Sequence, residues 1–541
     1  MGVAKSSMLM AGGTMLSRIL GFSRSIILAM ALGVTTNAAD AFGVANQLPN
    51  NVYAIVAGGV LQSILVPQII KALAHKDGGK GYVDRLLTFI ISVFLIITVV
   101  TTLAAPLLVS IYTTGWTPAQ LALATAFAYW CLPQLFFYGL YSILGEVLNA
   151  RSKFGPYMWA PVLNNVVSLA GLIAYIVIFG SDPTGAQSIE SWNSSQIILL
   201  AGSATAGVAA QALILFVAWR KIGIKLSLNF KWRGFGLRPA LKAASWSLAM
   251  VLVTQIGGLV QTVVASSAVS ARNSNIAVAS VAAAGIAWLV FMLPHSIATV
   301  SIATAYFTKM SHHVQEDRID LLKNDLAAGL RTISLISVLS TAAILVLAYP
   351  IARVFVGEYP SLVALGNVLI ALIIGLLPFS FVFMMQRAFY ALEDTRTPFI
   401  FTSVQIALHI TGSITMSFVV PHEWLVVGLS LLTSTTVTIQ ALITYSLLRR
   451  RIGSLKGQHI FTGTGYFAIA GLAAGLIGYV MLQVIGGVSR GAFAVKSVLT
   501  AGLGSIIVGF VILAVYLVLL KLFRVREIET ALASIKGILR R

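Results

Sequence analysis

The sequence predicts an all-α integral membrane protein of about fourteen transmembrane helices, arranged as two parallel six-helix lobes plus two extra C-terminal helices. Composition, the spacing of apolar segments and the placement of basic residues lead to this prediction. Of the 541 residues, 58% are hydrophobic and only 10% are charged, whereas soluble domains carry about 25% charged residues. So few charged side chains cannot cover a water-facing surface, which excludes a soluble protein.

Apolar segments of about 20 residues, enough to cross the hydrocarbon layer, recur along the whole chain. The connections between them are short, so no soluble domain is expected. The predicted spans are 8–32, 41–70, 86–112, 120–148, 157–180, 196–219, 240–268, 276–308, 327–349, 361–390, 398–420, 424–448, 461–486 and 496–520.

The basic residues alternate in step with these spans. Most of the 36 Lys and Arg residues fall at the termini and in every second loop. The other loops hold only four: Arg272, Arg353, Arg490 and Lys496. Three more lie within spans: Arg18, Arg24 and Arg331. Because Lys and Arg concentrate in cytoplasmic loops, both termini are predicted to be cytoplasmic. The net charge of +20 is therefore not an indication of nucleic-acid binding.

Two landmarks recur at one offset and indicate a duplicated six-helix unit. Pro49 in helix 2 corresponds to Pro294 in helix 8, and the end of helix 4 corresponds to the end of helix 10. Units with an even number of helices are parallel repeats, and such repeats place a site between two lobes. The predicted divisions are an N-lobe at 1–220, a basic cytoplasmic linker at 221–239, a C-lobe at 240–450, helices 13 and 14 at 451–520, and a basic amphipathic tail at 521–541. The tail is predicted either to lie on anionic lipids of the membrane or to be a solvated helical end.

Arg18 and Arg24 in helix 1 are the clearest indication of function. An arginine at membrane depth costs roughly 2.5–3.5 kcal/mol on insertion scales. The two are about 9 Å apart along the helix axis but about 120° apart around it, so a bend at Gly21 would bring them to one face. They then form a cationic wall suited to a phosphate or carboxylate. The alternative is that Arg18 pairs with a carboxylate while Arg24 reaches outward to the interface.

Other polar residues within the spans are sparse. Asp40 opens helix 2, and Gln255 in helix 7 weakly favours a cavity lining. Pro49 and Pro294 are predicted to break their helices and act as hinges, with Asn50 either lining the gap or satisfying the freed backbone. Because carboxylates are nearly absent at mid-span, a proton relay is poorly supported. We expect no cofactor, and coupling to the membrane potential or to a monovalent ion.

The chain offers little of what common enzyme classes require. There is no HExxH or Walker A sequence, and the single cysteine, Cys131, excludes a cysteine-rich metal site. The adjacent His312 and His313 lie in a predicted cytoplasmic loop. No cleavable signal peptide is expected, because the first apolar stretch runs past Arg18 without a cleavage site. These observations predict a transporter rather than an enzyme.

Four stretches resemble the MurJ (MviN) family of lipid II flippases, which belongs to the multidrug/oligosaccharidyl-lipid/polysaccharide (MOP) exporter superfamily. They are SRILGFSRS (17–25), DAFGVANQLPN (40–50), LGEVLNARSKFGPYMWAPVLNN (144–165) and RAFYALEDTRTP (387–398). The VANQLPN form is most similar to actinobacterial members. The resemblance implies movement of the undecaprenyl-diphosphate-linked disaccharide-peptide, lipid II, across the bacterial cytoplasmic membrane by alternating access, in support of peptidoglycan synthesis.

The resemblance also implies roles for individual residues. Arg18 and Arg24 would bind the diphosphate beside Ser17, Asp40 and Asn50 would lie near the cavity, and helices 13 and 14 would hold the lipid tail. The chain departs from the family where many members carry further arginines. Those positions hold Tyr53 and Ala54 in helix 2, and Trp288 and Leu289 in helix 8.

Three explanations of this departure stay open: the two arginines suffice, His295 or another basic group substitutes, or the cargo differs. The rival functions follow from it. One is export of another lipid-linked oligosaccharide or amphiphile on the same fold. Another is a non-transporting scaffold whose basic loops and tail recruit cell-wall synthesis proteins. A membrane glycosyltransferase is disfavoured, because no paired acidic motif faces a loop.

Overall fold

The computed structural model describes residues 3–57, 80–151, 153–221, 227–230, 237–272, 276–455 and 457–525. Within these ranges the chain is helical and no β-strand occurs, so the predicted all-α class is confirmed. The tail from residue 526 onward and most of the linker predicted at 221–239 lie outside the described residues. The predictions made for them stay predictions.

The chain divides into two compact units, Met1–Ser270 and Ala271–Arg541. The first unit contains α1 Val3–Leu32, α2 Asn37–Val56, α3 Lys80–Leu103, α4 Ala105–Tyr112, α5 Pro118–Cys131, α6 Gln134–Ala150, α7 Phe154–Phe179, α8 Ser194–Ile197, α9 Ser203–Leu213, α10 Leu215–Lys221 and α11 Leu237–Ser267. The second contains α12 Val281–Pro294, α13 Val300–Gln315, α14 Ile319–Phe355, α15 Tyr359–Ile373, α16 Leu376–Ala391, α17 Arg396–Val419, α18 Leu425–Ile452, α19 Gly457–Val484, α20 Phe493–Lys496 and α21 Val498–Leu522.

Among the described residues, twelve helices are long and apolar enough to cross a membrane, and up to thirteen if α15 and α16, bent by 42°, form one span. The predicted count of about fourteen is therefore not confirmed. The span predicted at 41–70 has no counterpart among these helices. Its described part, α2, is rich in Asn and Gln, and the rest of it lies outside the described residues.

Small residues let the helices of the first unit approach closely, as membrane helix packing requires. Gly139 on α6 faces the buried ring of Phe94 on α3, and a Cβ at Gly139 would lie 2.4 Å from the Phe94 Cγ. In the same core the indole Nε1 of Trp219 donates to the Leu144 carbonyl oxygen at 3.2 Å. These contacts join α3, α6 and α10 into one packed layer.

Helix α11 is fixed to the first unit at its C-terminal end. The Ser266 hydroxyl accepts from the Thr114 backbone N–H at 2.8 Å, and the Ser266 carbonyl accepts from the Trp116 indole at 3.1 Å. Ser266 is fully buried. Although the lobe limits predicted from the repeat stay a prediction, α11 packs within the first unit in the structure.

The long helix α14 organises the second unit. Its first half, including Leu326 and Ile333, lies in a core with α13, α16 and α18. Its second half, including Leu347, lies in another core with α19 and α21. The Tyr516 hydroxyl of α21 donates to the Leu335 carbonyl of α14 at 2.9 Å. The last two spans therefore pack on α14.

A buried carboxylate holds part of the linker against α3. Asp84 is 3% exposed, and its carboxylate accepts from both the backbone N–H and the hydroxyl of Ser227. The backbone N–H of Asn229 donates to the Thr88 hydroxyl at 2.9 Å. These bonds satisfy groups that would otherwise be buried without partners.

Replacing Asp84 with alanine is expected to release this segment. Hydrogen bonds to a charged group contribute about 1.5–3 kcal/mol, so trypsin should cleave between α10 and α11 at least about tenfold faster. Time-resolved proteolysis of the purified protein measures the rate. Asp182→Ala is the matched control, because Asp182 accepts from backbone N–H groups of a different loop. Equal rates for Asp84→Ala and the unchanged chain would contradict the prediction.

Candidate functional site

Helix α1 carries the two intramembrane arginines and packs along α7. A Cβ at Gly13 would lie 2.9 Å from the Trp159 indole nitrogen, so the backbones are close there. The Asn165 amide of α7 donates to the Ser17 carbonyl at 2.8 Å and lies 3.2 Å from the Ser17 hydroxyl. Ser17 is therefore held by α7 directly beside Arg18.

Gly21 does not interrupt α1, which is helical throughout Val3–Leu32. A Cβ at this position would meet Asn165 at an ordinary van der Waals distance of 3.7 Å, so close packing does not require glycine here. Its role as a hinge stays a prediction.

Both arginines are half-buried, and neither forms an ion pair with a carboxylate in the part of the chain that the structure describes. The alternative in which Arg18 pairs with a carboxylate is thus not seen there. Arg24 instead interacts electrostatically with the hydroxyl of Tyr138 on α6. A guanidinium without a carboxylate partner keeps its full charge available for an anionic ligand.

Tyr138 belongs to a neutral polar network that joins four helices, α2, α5, α6 and α9. Its hydroxyl donates to the Gln134 side-chain oxygen at 3.0 Å. The Gln134 amide nitrogen lies 3.2 Å from both the Asn46 side-chain oxygen on α2 and the Thr205 hydroxyl on α9. Thr205 in turn donates to the Trp130 carbonyl at 2.6 Å. This network holds the Tyr138 hydroxyl in place near Arg24.

Sequence reasoning did not identify Asn46, Gln134, Tyr138 or Thr205. The available signal was a set of uncharged hydrogen-bonding side chains within otherwise apolar spans. Such side chains cost far less than arginine in a membrane, and they are common enough in spans that sequence alone does not single them out.

Helix α2 places its candidate residues in different surroundings. Asp40 is fully buried in the first turn of α2, where a carboxylate is stabilised by the helix dipole. Asn50 is exposed. The helix continues through Pro49, so the predicted break there is wrong, although a hinge role for Pro49 is not tested by this conformation.

Aromatic packing occupies the position in α2 where many family members carry arginine. The ring of Tyr53 lies 5.5 Å from the ring of Tyr138 and 6.1 Å from that of Phe94. Ala54 is half-buried beside it. Tyr53 therefore contacts the same tyrosine that interacts with Arg24, but adds no cation.

Pro294, Trp288 and Leu289 of the second unit are the predicted counterparts of the α2 positions described above. The helix changes its hydrogen-bonding pattern directly after Pro294. The following residues, His295–Thr299, form a π-helical turn before α13 begins, as expected when proline removes a backbone donor. Trp288 is 42% exposed and stacks on Phe291, and Leu289 is half-buried. Neither position supplies a cation.

His295 is packed inside the second unit. It is 2% exposed, its Nδ1 lies 3.2 Å from the Ser380 hydroxyl, and its ring lies 4.6 Å from that of Phe379. In this conformation the imidazole does not reach the surface, so its proposed substitution for an arginine finds no support. Gln255, the remaining candidate, is half-buried on α11 of the first unit.

Comparison with known proteins gives a consistent result. The sequence model of the family described as "Lipid II flippase MurJ" matches residues 28–504. A probable lipid II flippase MurJ of Rhizobium meliloti is 27% identical over 425 residues, covering 77% of this chain and 76% of that protein. A probable lipid II flippase MurJ of Buchnera aphidicola subsp. Acyrthosiphon pisum is 25% identical over 496 residues, covering 89% and 91%.

Solved structures support the same fold. A lipid II flippase MurJ in an inward closed conformation superposes with a TM-score of 0.73 at 20% identity, covering 95% of this chain and 98% of that one. An inward-facing multidrug resistance transporter of the MATE family, in the MOP superfamily, gives a TM-score of 0.58 at 17% identity, covering 81% and 99%. These likenesses concern the fold alone.

The family match extends over most of the chain and includes three of the four motif stretches in full. It confirms the resemblance to this family, although SRILGFSRS (17–25) lies before the matched residues, and it confirms the prediction of a transporter rather than an enzyme. The chain belongs to the lipid II flippase MurJ family.

Proposed function

We propose that this multi-pass membrane protein moves lipid II from the inner to the outer leaflet of the cytoplasmic membrane, with Arg18 and Arg24 binding the diphosphate. One observation carries the assignment of the site. Two guanidinium groups lie in one membrane helix without carboxylate partners in the described ranges. A half-buried cation within a membrane helix that has no anion of its own is favoured to bind one from a ligand.

The chemistry of the cargo fits this site. A guanidinium forms two parallel charge-assisted hydrogen bonds with a phosphate. Two arginines would neutralise the two negative charges of a diphosphate, so the loaded site carries little net charge through the membrane. The neutral hydrogen-bonding groups of Tyr138 and Asn165 lie beside the arginines without competing for the anion.

The same charge balance suggests how transport is driven. The empty site carries about two positive charges, and a charge crossing the full membrane potential changes the free energy by about 2.3 kcal/mol per 100 mV. A potential that is negative inside would therefore favour return of the empty site to the inward-facing state. The charge of the empty site thus favours the membrane potential as the energy source, with a monovalent ion as the alternative.

The arrangement in the membrane completes the proposal. Both termini are cytoplasmic, because the Lys and Arg residues concentrate in the loops on that side. The two lobes alternate access to the two leaflets, and α19 and α21 accommodate the lipid tail. The basic loops and tail contact anionic lipids of the inner leaflet.

A second cargo is favoured by one observation. Tyr53 and Trp288 stand where many family members carry arginines, so fewer cations are available for the headgroup. Another diphosphate-linked oligosaccharide would need the same two arginines but different contacts to its sugars. The test below separates the two cargoes.

Complementation tests the function. We expect the chain, expressed in bacteria depleted of their own lipid II flippase, to restore growth and to prevent lipid II from accumulating on the inner leaflet. Membrane levels must be matched by immunoblot. Normal levels without rescue, or growth with lipid II still accumulating inside, would argue for the other cargo or for a non-transporting scaffold.

A further inference from the structure

The turn between α13 and α14 in the second unit concentrates acidic and histidine residues. The whole chain has only 16 Asp and Glu residues, yet four of them lie within residues 316–325. Two of the seven histidines, His312 and His313, directly precede this stretch. They are not part of the arginine site described above.

Three side chains of this turn converge on one point. The His312 Nδ1 lies 3.5 Å from one Glu316 carboxylate oxygen, and the His313 Nδ1 lies 3.9 Å from the other. One ligand atom from each of the three residues lies within 4.8 Å of the others. Tetrahedral coordination with bonds of about 2.0–2.2 Å places ligand atoms roughly 3.3–3.6 Å apart. Only small side-chain movements would therefore bring the three ligand atoms to these distances.

The backbone of the turn explains this convergence. His312 and His313 occupy the last turn of α13, and Glu316 immediately follows the helix. Asp317 adopts a left-handed conformation with φ of 57°, which reverses the chain into α14. Asp and Asn tolerate that conformation better than most residues. Glu316 is thus held between the two imidazoles by the geometry of the helix end.

A fourth residue lies beside one of the imidazoles. Asp325 lies two turns into α14, and its carboxylate oxygen is 3.2 Å from the His313 Nε2, but the two atoms are not aligned as a hydrogen bond in this conformation. A small rotation of either side chain would make that bond, and a carboxylate that accepts from Nε2 stabilises the tautomer whose Nδ1 lone pair is free for a metal. The His313 Nδ1 is buried and has no hydrogen-bond partner among the described residues.

The simpler interpretation is a group of ion pairs at the end of a helix. Lys309, Arg318 and Lys323 lie close by in the sequence and lower the local negative charge. Ion pairs alone, however, would not require the Nδ1 atoms of both imidazoles to face the Glu316 carboxylate. Nor would they require the Asp325 carboxylate to lie beside the Nε2 of His313. His312 is 67% exposed, which leaves a path for an ion and for a water ligand.

We propose that His312, His313 and Glu316 bind one divalent transition-metal ion of the zinc class, with Asp325 as the positioning residue for His313. Two imidazoles and a carboxylate with an open fourth position match the ligand preference of Zn²⁺. The ion would tie the end of α13 to the start of α14. The proposal does not depend on the identity of the transported lipid.

The test uses the full-length chain, purified without a histidine tag in detergent and freed of metal with a chelator. Titration with ZnCl₂ should show one saturable site per chain, and Co²⁺ should give the absorption bands of a tetrahedral complex. His313→Ala should abolish both signals. Asp325→Asn should weaken Zn²⁺ binding about 10–100-fold. His422→Ala, which removes an exposed histidine elsewhere in the second unit, should change neither.

Thermal unfolding in the presence of chelator verifies that each variant is folded. If His313→Ala does not fold, His312→Ala provides the same test, since His312 is exposed and makes few packing contacts. A chain that binds no stoichiometric Zn²⁺ would overturn the proposal. So would a tetrahedral Co²⁺ spectrum that persists in both histidine variants.

Discussion

Replacing Arg24 with alanine is expected to abolish the ability of the chain to support growth in cells depleted of their lipid II flippase. The guanidinium is half-buried, interacts with Tyr138 and pairs with no carboxylate of the described residues. Each hydrogen bond to a charged group contributes about 1.5–3 kcal/mol. Loss of a bidentate contact to the diphosphate should therefore weaken binding by roughly 100-fold or more.

Conservative and distant substitutions give the matched controls for this experiment. Arg24→Lys retains a charge but cannot form the bidentate contact, so partial rescue is expected. Arg490→Ala removes an exposed arginine of a loop in the second unit and should rescue fully. Arg18→Ala should fail like Arg24→Ala. Full rescue by both alanine variants, at membrane levels equal to the unchanged chain, would rule out the diphosphate site proposed for α1.

Replacing Gly139 with leucine should prevent the first unit from folding stably. A Cβ at this position would lie 2.4 Å from the Phe94 Cγ, which is too close to the backbone for the ring to rotate away. Phe94 is 1% exposed and packs on Tyr53. Overpacking a close-packed core typically lowers the free energy of unfolding by about 1–3 kcal/mol. Because a whole leucine side chain must be accommodated, we expect a loss at or above the upper end of that range.

The amount of protein in the membrane and the midpoint of thermal unfolding in detergent measure this effect. Gly258→Leu is the control, because a Cβ at Gly258 on α11 of the same unit meets nothing within 4 Å. We expect the Gly139 variant to be depleted from the membrane while the Gly258 variant accumulates normally. Similar midpoints for the two variants would show that α3 and α6 can separate without loss of stability.

Most of the fold could be predicted from the sequence because hydropathy over 20 residues directly reflects the thickness of the hydrocarbon layer. The exception is instructive. Helix α2 carries Asn46, Asn50 and Asn51, and its apolar character is too weak to pass the same test. Proline gave a less reliable signal, since α2 continues through Pro49 while the helix after Pro294 changes to a π turn.

The candidate site was only partly predictable. Charge is conspicuous in an apolar sequence, so Arg18 and Arg24 stood out at once. The neutral network around Tyr138 did not, because Gln134 is 88 residues from Asn46 and 71 from Thr205. Its members become neighbours only when α2, α6 and α9 pack together. The burial of His295 against Ser380 likewise depends on tertiary packing that no local pattern reveals.

The length of α14 has a mechanical consequence. Its 37 residues extend about 55 Å, whereas the hydrocarbon layer is about 30 Å thick. A substantial part of the helix must therefore project beyond the hydrocarbon layer or tilt strongly within it. A rigid rod of this length acts as a lever: a tilt of about 5° at one end moves the other by roughly 5 Å. Through α14, a small rearrangement beside α19 and α21 would be amplified at the end that carries Asp325.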